Sequence, residues 1–173
     1  MNIRKALPSD IDDIMKVECS SFIKEIQEEK SVFIERIKRC PDLFLIFEEN
    51  GEVAGYLSAE ILNSIPKTSE ELKLGHLPSV SKNNDNSNSY IYISSFALLP
   101  SFRGGGKGKQ MWNRSVKYFS ESLNISHFLL LVNEEWKGAY HIYESSGFKT
   151  INTFPSFFFS NEKGSSSGIL MEK

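Results

Sequence analysis

Residues 90–111 read Tyr-Ile-Tyr-Ile-Ser-Ser-Phe-Ala-Leu-Leu-Pro-Ser-Phe-Arg-Gly-Gly-Gly-Lys-Gly-Lys-Gln-Met. The first seven, mostly aromatic or β-branched, spell a strand. Pro100 ends it, because proline has no amide hydrogen to give a ladder. Residues 103–108 form a glycine-rich turn, and Met111, Trp112, Val116 and Phe119 then recur at helical spacing to about Leu123. A strand, a glycine turn and a helix start make a place for an anion. The first helical turn carries unpaired N–H groups and a partial positive charge, and glycine lets an anion approach the backbone.

Neither common nucleotide loop fits this turn. Gly106 and Lys107 are followed by Gly108, where a phosphate-loop NTPase needs Ser or Thr. Lys109 stands where the third glycine of a dinucleotide fingerprint belongs, and no early βαβ unit surrounds it. Arg103-x-x-Gly106-x-Gly108, with Leu98-x-Pro100 just upstream, instead resembles the acyl-CoA-binding motif of the GNAT N-acetyltransferase superfamily. A second stretch, residues 133–148, carries Asn133, Ala139, Tyr143, Gly147 and Phe148 in the order of that superfamily's other signature. The resemblance covers most of the chain, and Gly55 in an early hairpin fits it. Residues 22–55 also look like the arylalkylamine-acetyltransferase branch, on fewer matching positions.

The resemblance implies an α/β (α+β) single-domain acyl-CoA N-acyltransferase fold over residues 1–173, with about seven strands in a mixed sheet and about four flanking helices. It implies acetyl-CoA as cosubstrate, no metal, and a primary amine of a small molecule or peptide as acceptor. The cofactor-binding residues would be Phe96, Ala97 and Leu98 on the strand; Arg103, Gly104, Gly105, Gly106, Lys107, Gly108 and Lys109 in the turn; and Asn133, Ala139 and Tyr143 beyond it. Turn amides would grip the pyrophosphate while the strand pairs with the pantetheine arm. Arg103 has two readings: it points at a coenzyme phosphate, or it caps local carbonyls. Asn133 would hydrogen-bond the pantetheine arm or a wall of the cleft.

Acyl transfer needs a neutral amine, a donor for the thioester oxygen and a proton for the departing thiolate. By resemblance Tyr143 is the general acid, since a phenol can donate that proton or hydrogen-bond the sulfur. A backbone N–H of the strand ending at Leu98 is the natural donor to the oxygen. The base is missing: the strand before the glycines has no carboxylate, and Tyr92 and Ser94 stand where the arylalkylamine branch has histidines. Ser94 is a poor base but could position a water. Glu25, Glu28, Glu29 and Glu60 could attract a cationic amine, although a solvated face is the ordinary place for each. His127 and His141 read as structural, and His76 reaches the site only if its loop folds over. A catalytically silent acyl-CoA-binding module on the same scaffold is the competing reading.

Composition bounds the rest. The chain has 173 residues and a net charge of −2, with an isoelectric point near 6.0. That gives no bulk basic field for nucleic acid. No apolar run has the length of a membrane span, and the first residues lack the apolar core of a signal peptide. The expectation is a cytoplasmic protein, monomer or homodimer. Cys19 and Cys40 are too few for a metal site or disulfide framework and are expected as buried thiols.

In chain order, residues 2–6 spell a strand, and Ser9 or Asp10 caps a helix with Ile11, Ile14, Met15 and Val17 inward. A second helix is expected over 25–39. Strands at 43–48 and 53–62 flank an Asn50-Gly51 hairpin turn. Residues 63–89 form a long polar loop, either a lid or a surface excursion, with a helical turn near 70–74. A strand at 126–132, a helix at 136–145 ended by Gly147, and strands at 148–154 and 168–172 complete the pattern.

Overall fold

A computed structural model describes residues 1–75 and 89–173. Residues 76–88 of the polar loop expected at 63–89, His76 included, lie outside these residues. Seven strands form one sheet in the order β1-β2-β3-β4-β5-β7-β6. They are β1 (Asn2–Lys5), β2 (Phe44–Glu49), β3 (Glu52–Leu62), β4 (Tyr90–Leu98), β5 (His127–Asn133), β6 (Lys149–Ser160) and β7 (Gly164–Glu172). All neighbours pair antiparallel except β4 and β5, which are parallel. Four helices cover the sheet: α1 (Ile11–Ser21), α2 (Lys30–Arg39), α3 (Lys107–Leu123) and α4 (Lys137–Ser145).

Strand periodicity sorts the core into two faces. Phe44, Ile46 and Tyr56 pack with Ile14, Val17, Phe33 and Ile37 of α1 and α2. Leu45, Phe47 and Leu57 point the other way, to Met111, Trp112 and Phe119 of α3 and to Tyr143 of α4. All of residues 44–47 are buried, as a strand covered on both faces requires. Asp10 fastens β1 to the start of α1. Its carboxylate accepts from the Leu7 amide (2.7 Å) and takes the Arg4 guanidinium at 2.6 and 2.8 Å. Arg4 also reaches Glu48 at 2.8 Å, which extends the tie to β2.

Several boundaries differ from those read in the sequence. The helix expected over 25–39 is a 3-10 turn (Lys24–Ile26) followed by α2, so Glu28 lies on the connection, where it turns inward. Strands β6 and β7 are longer than expected and join through a short turn. The Phe-rich run before that turn pairs with the serines after it, Phe158 with Ser166 and Phe159 with Ser165. Cys19 is exposed and Cys40 half-buried, which corrects the expectation that both are buried. Cys19 follows the inward Val17 and Glu18 on the outer side of α1. No helix among the described residues is long and apolar enough to cross a membrane.

One feature of the sheet opens the site. Strands β4 and β5 pair only from Tyr90 with His127 to Ile93 with Leu130. Opposite β3, Ser58 pairs with Ser95 and Ala59 with Ile93, so Ser94 is an extra residue. Such a bulge bends its strand. Beyond it β5 continues against β7, and residues 94–98 keep no strand partner on their β5 side. On their other side the strands approach so closely that a Cβ on Gly55 would overlap the Ala97 carbonyl oxygen. Gly55→Ala is therefore expected to cost ~3 kcal/mol of stability in urea unfolding, the upper range for overpacking against rigid backbone. An unchanged midpoint would mean that β3 and β4 can part without loss.

Candidate active site

The divergence of β4 from β5 leaves a cleft of about 1330 Å³. One end is the glycine turn. Arg103 is followed by Gly104, Gly105 and Gly106 at φ of 89°, 56° and 75°. Three left-handed residues in a row are a conformation that glycine alone adopts at little cost. The Lys107 amide turns back to the Gly104 carbonyl (3.1 Å) and the Gln110 amide to Gly106 (3.0 Å). Between them, the Gly108 and Lys109 amides have no acceptor among the described residues. These are the orphan donors of the first turn of α3, and they sit at its positive end. Gly108 serves packing as well: a Cβ there would come within 3.3 Å of Ile142 on α4.

Arg103 caps a local carbonyl and also lines the cleft. It donates to the Leu98 carbonyl (2.9 Å) and to Ser21 Oγ (2.9 Å), tying the turn to β4 and to the end of α1. Lys107 is engaged by Glu49 at 2.6 Å, whereas Lys109 is exposed with no ion-pair partner among the described residues. Phe96, Ala97 and Leu98 form the open strand edge of the cleft, and Ala139 and Tyr143 of α4 lie across from it. Two residues of the expected set are not brought in. Asn133 is buried with its side-chain oxygen accepting from the Glu135 amide (2.9 Å), so it shapes the turn into α4 and does not line the cleft. Gly105 contributes its turn conformation but is likewise not on the wall.

Tyr143 lies against Trp112, ring centroids 4.5 Å apart, and Phe148 completes the cluster at 5.4 Å from Trp112 and 6.3 Å from Tyr143. Its hydroxyl has no hydrogen-bond partner among the described residues, and burial pushes the phenol well above its ordinary pKa. Ser94 stands on the α2 side of the sheet. Its hydroxyl donates to the Ser58 carbonyl (3.1 Å) and accepts from Arg36 (3.3 Å). Arg36 reaches Glu28 at 3.2 Å and Glu60 at 3.6 Å.

That trio corrects the expectation that these glutamates sit on solvated faces. Glu28 and Glu60 are 5% and 2% exposed. Glu25 and Glu29, by contrast, are exposed as expected. His127 is exposed and packs on Tyr90, and the exposed His141 lies on the cleft wall. A further carboxylate, Glu18, is 2% exposed on the same wall and was not singled out from the sequence. Its signal was present: Glu18 lies four residues after Ile14 and one after Val17, on the buried stripe of α1.

The far end of the cleft is closed by the 3-10 turn Ser69–Leu72 and by an outward loop in β6. There Phe154 pairs with Gly168 and Phe158 with Ser166, which leaves two extra residues on β6. Trp136 at the start of α4 packs on both Phe158 (5.4 Å) and Phe22 (5.5 Å), an apolar wall across the mouth.

Orphan amides at a helix start, a run of left-handed glycines and an unpaired strand edge leading to a buried phenol form one continuous path. The pattern that defines the acetyltransferase (GNAT) family matches residues 11–148, which includes every one of these parts. The chain belongs to this family. An N-alpha-acetyltransferase of Sulfurisphaera tokodaii is 25% identical over 163 residues, or 92% of this chain and 87% of the relative. Among solved structures, Chaetomium thermophilum Naa20 with a bisubstrate analogue matches at a TM-score of 0.73 and 17% identity, covering 100% of this chain and 86% of that one. GphF, a GNAT-like decarboxylase solved with isobutyryl-CoA, matches at 0.76 and 12% identity over 99% and 98% of the two chains. At such identities these two likenesses speak to the fold. As in other GNAT proteins, the sheet here is mixed and seven-stranded with four helices, as expected from the sequence.

Proposed function

We propose that this chain transfers an acetyl group from acetyl-CoA to a primary amine, with the α-amino group of a peptide as the favoured acceptor and a small-molecule amine as the alternative. The observation that carries this is the pair of orphan amides at Gly108 and Lys109, set beside the partnerless edge of β4. Two N–H groups at a helix start suit a pyrophosphate, and an open strand edge suits an extended amide-bearing arm. The names of the archaeal relatives favour a peptide acceptor.

Bound acetyl-CoA supplies the thioester, whose acetyl carbon exchanges its bond to sulfur for a bond to the acceptor nitrogen. Tyr143 acts from the α4 side. Its raised pKa keeps the phenol protonated, ready to hydrogen-bond the departing sulfur and give up its proton as the bond breaks. Main-chain N–H groups of residues 94–98 face the oxygen that gains charge. Ser94, fixed between Arg36 and the Ser58 carbonyl, orients a water or the amine itself. The acidic side chains Glu18, Glu28 and Glu60 on the same wall favour a cationic acceptor.

The test is thiol release from acetyl-CoA with a panel of peptides bearing free α-amino groups, polyamines and arylalkylamines, beside calorimetric binding of acetyl-CoA. Turnover with peptides above the other amines is expected. Tight binding with no turnover across the panel would favour a silent acyl-CoA-binding module.

A further inference from the structure

The open question in this mechanism is where the proton of the incoming ammonium goes. We propose that it passes from Ser95 through Tyr56 to Glu18. The inference rests on the acetyl-transfer reading above and names its missing proton sink.

The path is built from side chains already in contact. Ser95 is half-buried and lines the cleft one residue after the bulge. Its Oγ lies 2.7 Å from the Tyr56 hydroxyl. Tyr56 is wholly buried on β3, and its hydroxyl donates to Glu18 Oε2 of α1. The other oxygen, Oε1, accepts from the Glu28 amide at 2.7 Å, which fixes the carboxylate plane. The bulge at Ser94 makes this possible. In a regular strand Ser94 and Ser95 would point to opposite faces, yet here Ser94 meets Arg36 and Ser95 meets Tyr56, both on the α1–α2 side.

The other buried carboxylates are committed. Glu28 pairs with Arg36 and accepts from the Gly75 amide at 3.1 and 3.2 Å, and Glu60 also faces Arg36. Glu18 has no ion pair among the described residues. The groups that face it are Tyr56 from β3, Glu28 from the connection before α2, and Arg36 from α2. Burial pushes its carboxyl upward from the ordinary value, Glu28's charge adds to that, and the Glu28 amide, Tyr56 and Arg36 pull the other way. A carboxylate in that setting binds a proton more readily than an exposed one.

The protons balance as follows. Ser95 Oγ receives one proton from the ammonium and passes its own to Tyr56 Oη; Tyr56 passes its own to Glu18 Oε2. Only Glu18 changes charge, and it returns its proton to solvent after turnover. The second amine proton, lost as the amide forms, restores Tyr143 after that residue has protonated the sulfur.

The test compares Glu18→Gln, Tyr56→Phe and Ser95→Ala with the wild type from pH 6 to 9.5, using acetyl-CoA with spermidine, tyramine and an alanine-initiated pentapeptide. Glu18→Gln is expected to lower kcat about 100-fold at pH 7, a typical general-base contribution, with the loss shrinking toward pH 9.5 as free amine accumulates. Tyr56→Phe and Ser95→Ala should show the same shift of the pH profile, with acetyl-CoA affinity unchanged. A second readout needs no substrate: by carboxyl NMR, Glu18 should titrate above the other glutamates, and Tyr56→Phe should move it further up by removing a bond to the charged form. Variants that track the wild type at every pH, or a Glu18 that titrates with the exposed glutamates, would overturn the relay alone. A wild type that binds acetyl-CoA but acetylates none of the three amines would overturn the transfer reading and the relay with it.

Discussion

Gly106→Glu is expected to raise the acetyl-CoA dissociation constant at least ~100-fold, a loss of ~2.7 kcal/mol. Two effects add. Gly106 caps α3 at φ 75°, where any side chain pays ~1–2 kcal/mol of strain. The new carboxylate would also stand beside the Gly108 and Lys109 amides and compete for the place of a phosphate. Gly106→Ala separates the two. A Cβ at this position meets nothing within 4 Å, so alanine brings strain without charge or collision. It should weaken binding ~10-fold or less. Both variants should stay folded, with melting temperatures down about 5 °C, the shift that ~1–2 kcal/mol produces in a chain of this size. Titration calorimetry beside thermal unfolding makes the comparison. Equal acetyl-CoA affinity in Gly106→Glu and wild type would remove the glycine turn from coenzyme binding.

What could be read from the sequence was whatever is set locally. Gly147 as a left-handed helix end and the Asn50-Gly51 turn, with φ of 54° and 81°, are backbone demands that only a few residue types meet, and the glycines at 104–106 mark a turn although their left-handed run is seen only in the structure. Strand faces followed from alternation, since Phe44 and Ile46 must part from Leu45 and Phe47. The acceptor side of the cleft was hidden because its charges are satisfied by partners far along the chain. Arg36 lies between Phe33 and Ile37 on the buried stripe of α2, as Glu18 does on α1. A charge on an apolar stripe announces a buried partner, but only the fold shows that Arg36 meets Glu28 and Glu60 while Glu18 meets Tyr56. The bulge was equally silent. Ser94 and Ser95 interrupt the alternation, yet which of two serines is the extra one depends on the register against β3. The place of Asn133 at a strand end suits a turn as well as a ligand, and the bond it accepts from the Glu135 amide serves the turn.

Tyr143→Phe is expected to cut kcat ~100-fold while acetyl-CoA affinity and melting temperature stay near those of the wild type. The case rests on what the hydroxyl does not do. It has no hydrogen-bond partner among the described residues, so its loss orphans no donor or acceptor. The ring's contacts with Trp112 and Phe148 survive in phenylalanine, and the core cluster around α3 and α4 keeps its volume. The hydroxyl is not sealed in the core: it opens onto the cleft, where phenylalanine would fill the same space without a polar end. The hydroxyl therefore points to a role met only when the cleft is occupied. Because burial holds the proton on this group beyond the ordinary phenol range, no alkaline fall in rate assignable to Tyr143 should appear below pH ~10. Any acid limb belongs to groups that must be ionised, Glu18 among them, and should persist in Tyr143→Phe while the plateau drops. Steady-state kinetics of both proteins across that range decide the point: equal plateaus would leave Tyr143 a packing residue and return the thiolate's proton to solvent.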